Sequence, residues 1–79
     1  MTEFENLKRN YAGAVQCGMI MGVNKSGAKH GNDMVHKFCE MLVENSMYSE
    51  HDKIYMKNEL QHLKQTMDAE IETFYNKKQ

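Results

Sequence analysis

The residues best suited to chemistry lie between positions 22 and 33. The stretch from Gly22 to Lys29 approaches the phosphate-binding loop of nucleotide hydrolases, in which lysine directly follows the second glycine and directly precedes serine or threonine. Here Ala28 comes before the lysine and His30 follows it. The motif also needs a preceding β-strand, whereas this chain predicts a helix there. We therefore do not predict nucleotide hydrolysis.

A weaker ligand site remains open in the same stretch. Loop amides, lysines and the start of the next helix together attract anions such as phosphate groups. The candidate anion-binding residues are Lys25, Ser26, Gly27, Lys29 and His30. The alternative, a flexible polar connector without a ligand, is the more common role of glycine-rich loops. We expect the connector.

Metal-binding side chains follow the loop at spacings of three. Asp33, His36 and Cys39 share one helix face, with His30 just before them. Structural zinc sites usually draw ligands from two elements, and only Cys17 is available from another element. We therefore expect Asp33 to cap a helix, Cys39 to lie in the core and His36 to be half exposed. No metal or cofactor is predicted.

The chain contains two cysteines, Cys17 and Cys39. They would lie in the same layer if the first two helices folded back on each other, but a disulfide is not expected in a reducing cytosol. Apolar neighbours should keep both thiols neutral, so neither is a predicted nucleophile. Because no acid–base pair or activated nucleophile is visible, we predict no catalytic residues and a non-enzymatic protein.

Composition narrows the class of protein further. With 79 residues, 10 basic and 11 acidic side chains, the net charge is -1, which does not favour nucleic acid as a partner. The apolar stretch from Tyr11 to Val23 is too short to cross a membrane, and acidic residues precede it, unlike a secretory signal. We expect a cytoplasmic protein. So small a domain often gains stability by oligomerisation. Its eight methionines suit an adaptable core or an adaptable binding surface.

Two helices are predicted before residue 46. Thr2 to Glu5 has the form of a capping box, and helix one is predicted over 3–22. A strand over 15–23 would have no partner. A loop is predicted over 23–32, where glycine and asparagine are frequent. Helix two, over 33–45 with Asn32 or Asp33 as its cap, carries its apolar residues on one face: Val35, Phe38, Cys39, Leu42 and Val43.

Helix three carries the strongest pattern in the chain. Ser49 and Asp52 resemble a second capping box, and an apolar stripe continues to the C-terminus. A helix over 49–76 would be about 42 Å long, which exceeds the diameter expected of so small a globule. We therefore predict that its end is buried by a second subunit or a partner. The predicted interface residues are Met67, Ile71, Phe74 and Tyr75.

Small residues recur at every fourth position of helix one: Ala14, Gly18 and Gly22. Such a stripe seats a neighbouring helix of the same chain or, alternatively, forms the seam of a dimer.

Together these features predict an all-α, three-helix domain spanning 1–79, built as a helical hairpin plus a long C-terminal helix, and oligomeric, with a dimer as the first expectation. The predicted function is that of a small regulatory, inhibitor or adaptor protein, which acts through contact with an unidentified protein partner. Accessory proteins of phages and mobile elements often have this form, which is an analogy only. The alternative is an oligomeric binder of a nucleotide or nucleic acid through residues 22–33.

Adding or removing zinc is expected to leave the fold unchanged, because the ligand set is incomplete. Thermal unfolding followed by circular dichroism, with and without a chelator, checks this. A large fall in melting temperature that zinc restores would instead assign His30, His36 and Cys39 to a structural site.

Overall fold

Three helices make up the fold. The computed structural model describes residues 2–77, without the side chain of Thr2. Helix α1 is Thr2–Ile20, α2 is Lys25–Glu44 and α3 is Glu50–Lys77. No strand occurs among these residues, which confirms the all-α class. The capping role predicted for the Thr2 side chain lies outside the described residues.

The predicted loop over 23–32 is wrong, because α2 begins at Lys25. Gly22 adopts φ 96°, a left-handed conformation that suits glycine, and ends α1. The Asn24 side chain then caps α2 by accepting a hydrogen bond from the Gly27 amide at 2.7 Å. Asn32 and Asp33, the predicted caps, lie inside the helix. The glycines did not stop the helix because its first two turns already bury residues at helical spacing.

Helix α3 begins as predicted. The Ser49 hydroxyl accepts a hydrogen bond from the Asp52 amide at 3.1 Å, which confirms the second cap. Two ion pairs show the relative direction of α2 and α3. Lys25, at the start of α2, pairs with Glu72 near the end of α3, and Glu44, at the end of α2, pairs with Lys57 in the first half of α3. The two helices are therefore antiparallel. The molecule is a rod of 46 × 19 × 18 Å.

The end of α3 is covered within its own chain, contrary to the prediction. Met67 and Ile71, predicted at an interface, are core residues with 1% and 0% exposure. Phe74 and Tyr75 are partly buried against the same core. The reason is the early start of α2, which brings the turn beside the end of α3, where the Tyr75 hydroxyl donates to the Val23 carbonyl at 2.5 Å.

One buried side chain connects all three helices. Asn32 of α2 is 0% exposed. Its Oδ1 accepts from the Tyr11 hydroxyl of α1 at 2.5 Å. Its Nδ2 donates to α3, to the Lys64 carbonyl at 3.0 Å and to the Asp68 carboxylate at 2.9 Å. Burial raises the pKa of Tyr11, so its hydroxyl stays protonated and donates.

Asn32→Ala is expected to lower the free energy of unfolding by about 3 kcal/mol, because it strands the buried Tyr11 hydroxyl, which costs about 1–3 kcal/mol, and removes two part-buried hydrogen bonds to α3, worth about 1 kcal/mol each. Tyr11→Phe should cost only about 1 kcal/mol, since Asn32 keeps its bonds to α3. Urea unfolding measures both. Equal losses in the two variants would contradict the central position of Asn32.

Candidate functional site

The candidate anion-binding residues lie on the first two turns of α2 rather than in a loop. Lys25 and Lys29 both pair with Glu72 of α3, the first at 2.6 Å. The hydrogen bonds from the two lysines, of which that from Lys25 has the larger effect, lower the pKa of Glu72 to about 2. The Asn24 side chain already occupies the helix start. An anion would have to displace these contacts, so the geometry gives this site no support.

The four candidate metal ligands on α2 do not converge. His30 is exposed, and Asp33 pairs with Lys64 at 3.1 Å. His36 is only 7% exposed, rather than half exposed as predicted, and its Nε2 has no hydrogen-bond partner. Cys39 is buried as predicted, and burial raises the pKa of its thiol. Within residues 2–77 no three His, Cys, Asp or Glu side chains are placed to share a metal ion.

The two cysteines differ in environment. Both are free thiols, but Cys17 is exposed whereas Cys39 is buried. The expected apolar surroundings are therefore wrong for Cys17.

The small-residue stripe of α1 does not form one continuous seam. Gly22 lies in the turn. Gly18 faces that turn, because a Cβ placed on it would lie 3.8 Å from Val23. Only Ala14 opens onto a surface groove.

That groove runs between α1 and α2 and is apolar. Tyr11 and Cys39 form its buried floor. Its walls are formed by Leu7, Asn10, Ala14, Val35, Phe38 and Leu42. Because none of these side chains is acidic or basic, we call it the neutral groove. Beyond Leu7 and Leu42 it adjoins a second hollow, which reaches Phe4 and Tyr48 and is also lined by Glu3.

Several large apolar side chains stand exposed along the neutral groove. Phe38 is 55% exposed and Leu42 is 41% exposed. Met34 and Met41 flank Phe38 at helical spacing and are each about half exposed. The sequence pattern predicted Phe38 and Leu42 on one apolar face of helix two, together with Cys39 and Val43. The width of the apolar stripe on α2 could have indicated their exposure, because a helix in a bundle buries only part of its circumference against its neighbours.

Charge is distributed unevenly around the three helices. Among residues 2–77, every ion pair that joins two helices includes α3: Lys8–Glu59, Lys25–Glu72, Lys29–Glu72, Asp33–Lys64 and Glu44–Lys57. The α1–α2 seam instead has the Tyr11–Asn32 hydrogen bonds and apolar contacts. None of these paired side chains lines the neutral groove.

Neither a family model, nor a curated protein, nor a solved structure is similar to this chain. Among the described helices, none has a stretch long and apolar enough to cross a membrane. An open groove with exposed Phe, Leu and Met side chains and no charge is suited to burying apolar side chains of a protein.

Glu72→Gln is expected to change how stability depends on pH. The folded pKa of Glu72 is lowered to about 2 from an ordinary 4.5, so its stabilising contribution is present above pH 4.5 and is lost as the pH falls toward 2. The variant should lack this component and show a flatter decline over that range. Urea unfolding at a series of pH values measures it. Parallel profiles for the variant and the original chain would contradict the Glu72 pairing.

Proposed function

We propose that this chain is a non-enzymatic regulatory, inhibitor or adaptor protein that acts by contact between proteins, with the neutral groove as its contact surface. The observation that supports this proposal is the exposure of Phe38, Leu42 and their methionine neighbours along a surface without charge. Large exposed apolar patches on small domains are typical of interaction surfaces.

The fold leaves several large apolar side chains partly uncovered. Fully burying a Phe or Leu side chain contributes roughly 1.5–3 kcal/mol. Phe38 and Leu42 keep a large share of that contribution for a partner, since about half of each is exposed in the isolated chain. Met34 and Met41 adapt to the shape of an apposed surface, because methionine is unbranched and flexible.

The remaining expectations from the sequence stay predictions. A non-enzymatic role is consistent with a contact surface made of apolar groups, and a cytoplasmic location is proposed with it. Nucleic acid is not proposed as a partner, because an uncharged groove offers nothing to phosphate groups. A phosphate-bearing ligand is not proposed, since Lys25 and Lys29 already pair with Glu72.

Phe38→Asp is expected to abolish protein binding while leaving the helices intact, because a charge in a buried contact carries a desolvation penalty. Ile54→Asp is the matched control: Ile54 is 61% exposed on α3 and does not line the neutral groove. Tagged versions of the original chain and both variants are used to retain untagged copies and other proteins from the native host.

The original chain and Ile54→Asp should retain the same proteins, and Phe38→Asp should lose them. Circular dichroism confirms that all three are folded. If Phe38→Asp retains the same proteins as the original chain, the contact surface is not the neutral groove. An original chain that retains nothing would contradict the proposed function.

A further inference from the structure

We infer that the second hollow, beside Phe4 and Tyr48, is a binding site for a small organic amine, in which one apolar ring or a short branched chain carries a protonated amino group. The hollow lies at the end of the rod opposite the Gly22 turn, and we call it the end hollow. It is a separate site from the protein contact proposed for the neutral groove, although the two share Leu7 and Leu42 as a common wall.

The floor of the end hollow is apolar and contains one side chain from each helix. Phe4 of α1, Val43 of α2 and Met56 of α3 form it, and each is at most 4% exposed. The hollow has a volume of about 200 Å³. Since an apolar cavity of about 150 Å³ binds one benzene molecule, this volume suits a single ring rather than a peptide or a nucleotide.

Water is poorly held in the end hollow, because the hydroxyl groups at its edge are already engaged within the chain. The Ser46 hydroxyl donates to the Val43 carbonyl at 2.6 Å, and the Tyr48 hydroxyl donates to the Glu3 carboxylate at 3.3 Å. A buried water molecule usually makes about three hydrogen bonds to polar groups. Replacing poorly held water by an apolar group favours binding.

The same hydrogen bonds fix the walls of the end hollow before a ligand arrives. The Ser46 bond holds the turn against the end of α2, and the Tyr48 bond joins that turn to α1. The Phe4 ring also contacts the Tyr55 ring of α3, with 6.4 Å between their centroids. Sites for small molecules are usually formed in advance in this way.

The charge at the rim determines which polar group the ligand carries. Within residues 2–77, Glu3 is the charged side chain of the lining, and no basic side chain belongs to it. A carboxylate can accept several hydrogen bonds, so Glu3 can accept from an amino group as well as from Tyr48. A protonated amine is therefore attracted to the rim while its apolar part lies on the floor, whereas an anion is repelled.

Titration of the purified chain, followed by NMR of its backbone amides, tests the inference with three probes that share one benzene ring. At neutral pH benzylamine is positively charged, benzyl alcohol is neutral and benzoate is negative. Benzylamine should bind with a Kd of about 1 mM, a value suited to a ligand of this size. Benzyl alcohol should bind about threefold more weakly, since an exposed charge pair contributes little, and benzoate more weakly still. The amides of Val43, Ser46 and Tyr48 should shift.

Glu3→Gln should bind benzylamine and benzyl alcohol equally, because the amide keeps an acceptor for Tyr48 but carries no charge. Glu5→Gln is the matched control, since it removes a carboxylate from the same turn of α1 that does not line the end hollow. It should keep the preference for benzylamine.

Ser46→Leu should bind neither probe, because the added side chain occupies the end hollow. Met47→Leu is its control: it places leucine at the next position of the same turn, where the side chain is fully exposed, and should bind like the original chain. Circular dichroism shows whether each variant is folded. If Ser46→Leu unfolds, the comparison of Glu3→Gln with Glu5→Gln decides.

Shifts that do not saturate, or that spread along the whole rod, would overturn the site. So would benzoate binding as tightly as benzylamine, or a preference for benzylamine that survives in Glu3→Gln. Because Phe38 does not line the end hollow, Phe38→Asp should bind benzylamine like the original chain. Loss of the protein contact and loss of the amine site are thus measured separately.

Discussion

The arrangement of the three helices depends on the hydrogen bonds of Asn32. Its amide is fully buried and joins Tyr11 of α1 to Lys64 and Asp68 of α3. Apolar side chains alone tolerate sliding of one helix along another, because hydrophobic contact has no direction. A buried amide does not, since any other alignment leaves polar atoms without partners. Asn32 thereby sets the register that brings Lys25 and Lys29 to Glu72.

This register explains which parts of the fold could be predicted from the sequence. The apolar stripe and the Ser49 cap located α3, because both are local signals that tertiary packing reinforces. The start of α2 was missed, since Gly27 and Gly31 resemble a loop until their helix is seen to bury Ala28 and Asn32. That error made α2 too short to reach the end of α3. The prediction that Ile71 lies at an interface rested on that short α2 and on a globular shape, whereas the molecule is a rod 46 Å long.

The candidate site was harder to predict than the fold, for a physical reason. Helical spacing shows which residues share a face, but not how much of that face the neighbouring helices cover. Phe38 and Leu42 therefore looked the same as Cys39 and Val43 in the sequence, although the first two are exposed and the last two are buried. The position of α1 decides between them. The ion pairs to α3 could not be predicted either, because they depend on how the helices are aligned along one another.

The position of the Asn32 partners has a consequence for synthesis of the chain. Helices α1 and α2 leave the ribosome before α3, whose 28 residues take about 1.5–6 s to add at roughly 5–20 residues per second. During that interval the hairpin exposes both the neutral groove and the side that α3 will cover. Since Lys64 and Asp68 belong to α3, the hairpin also lacks the partners of the Asn32 amide. In the nascent hairpin the Asn32 side chain can therefore bond only to Tyr11, and its Nδ2 group gains its native partners only after α3 has been synthesised.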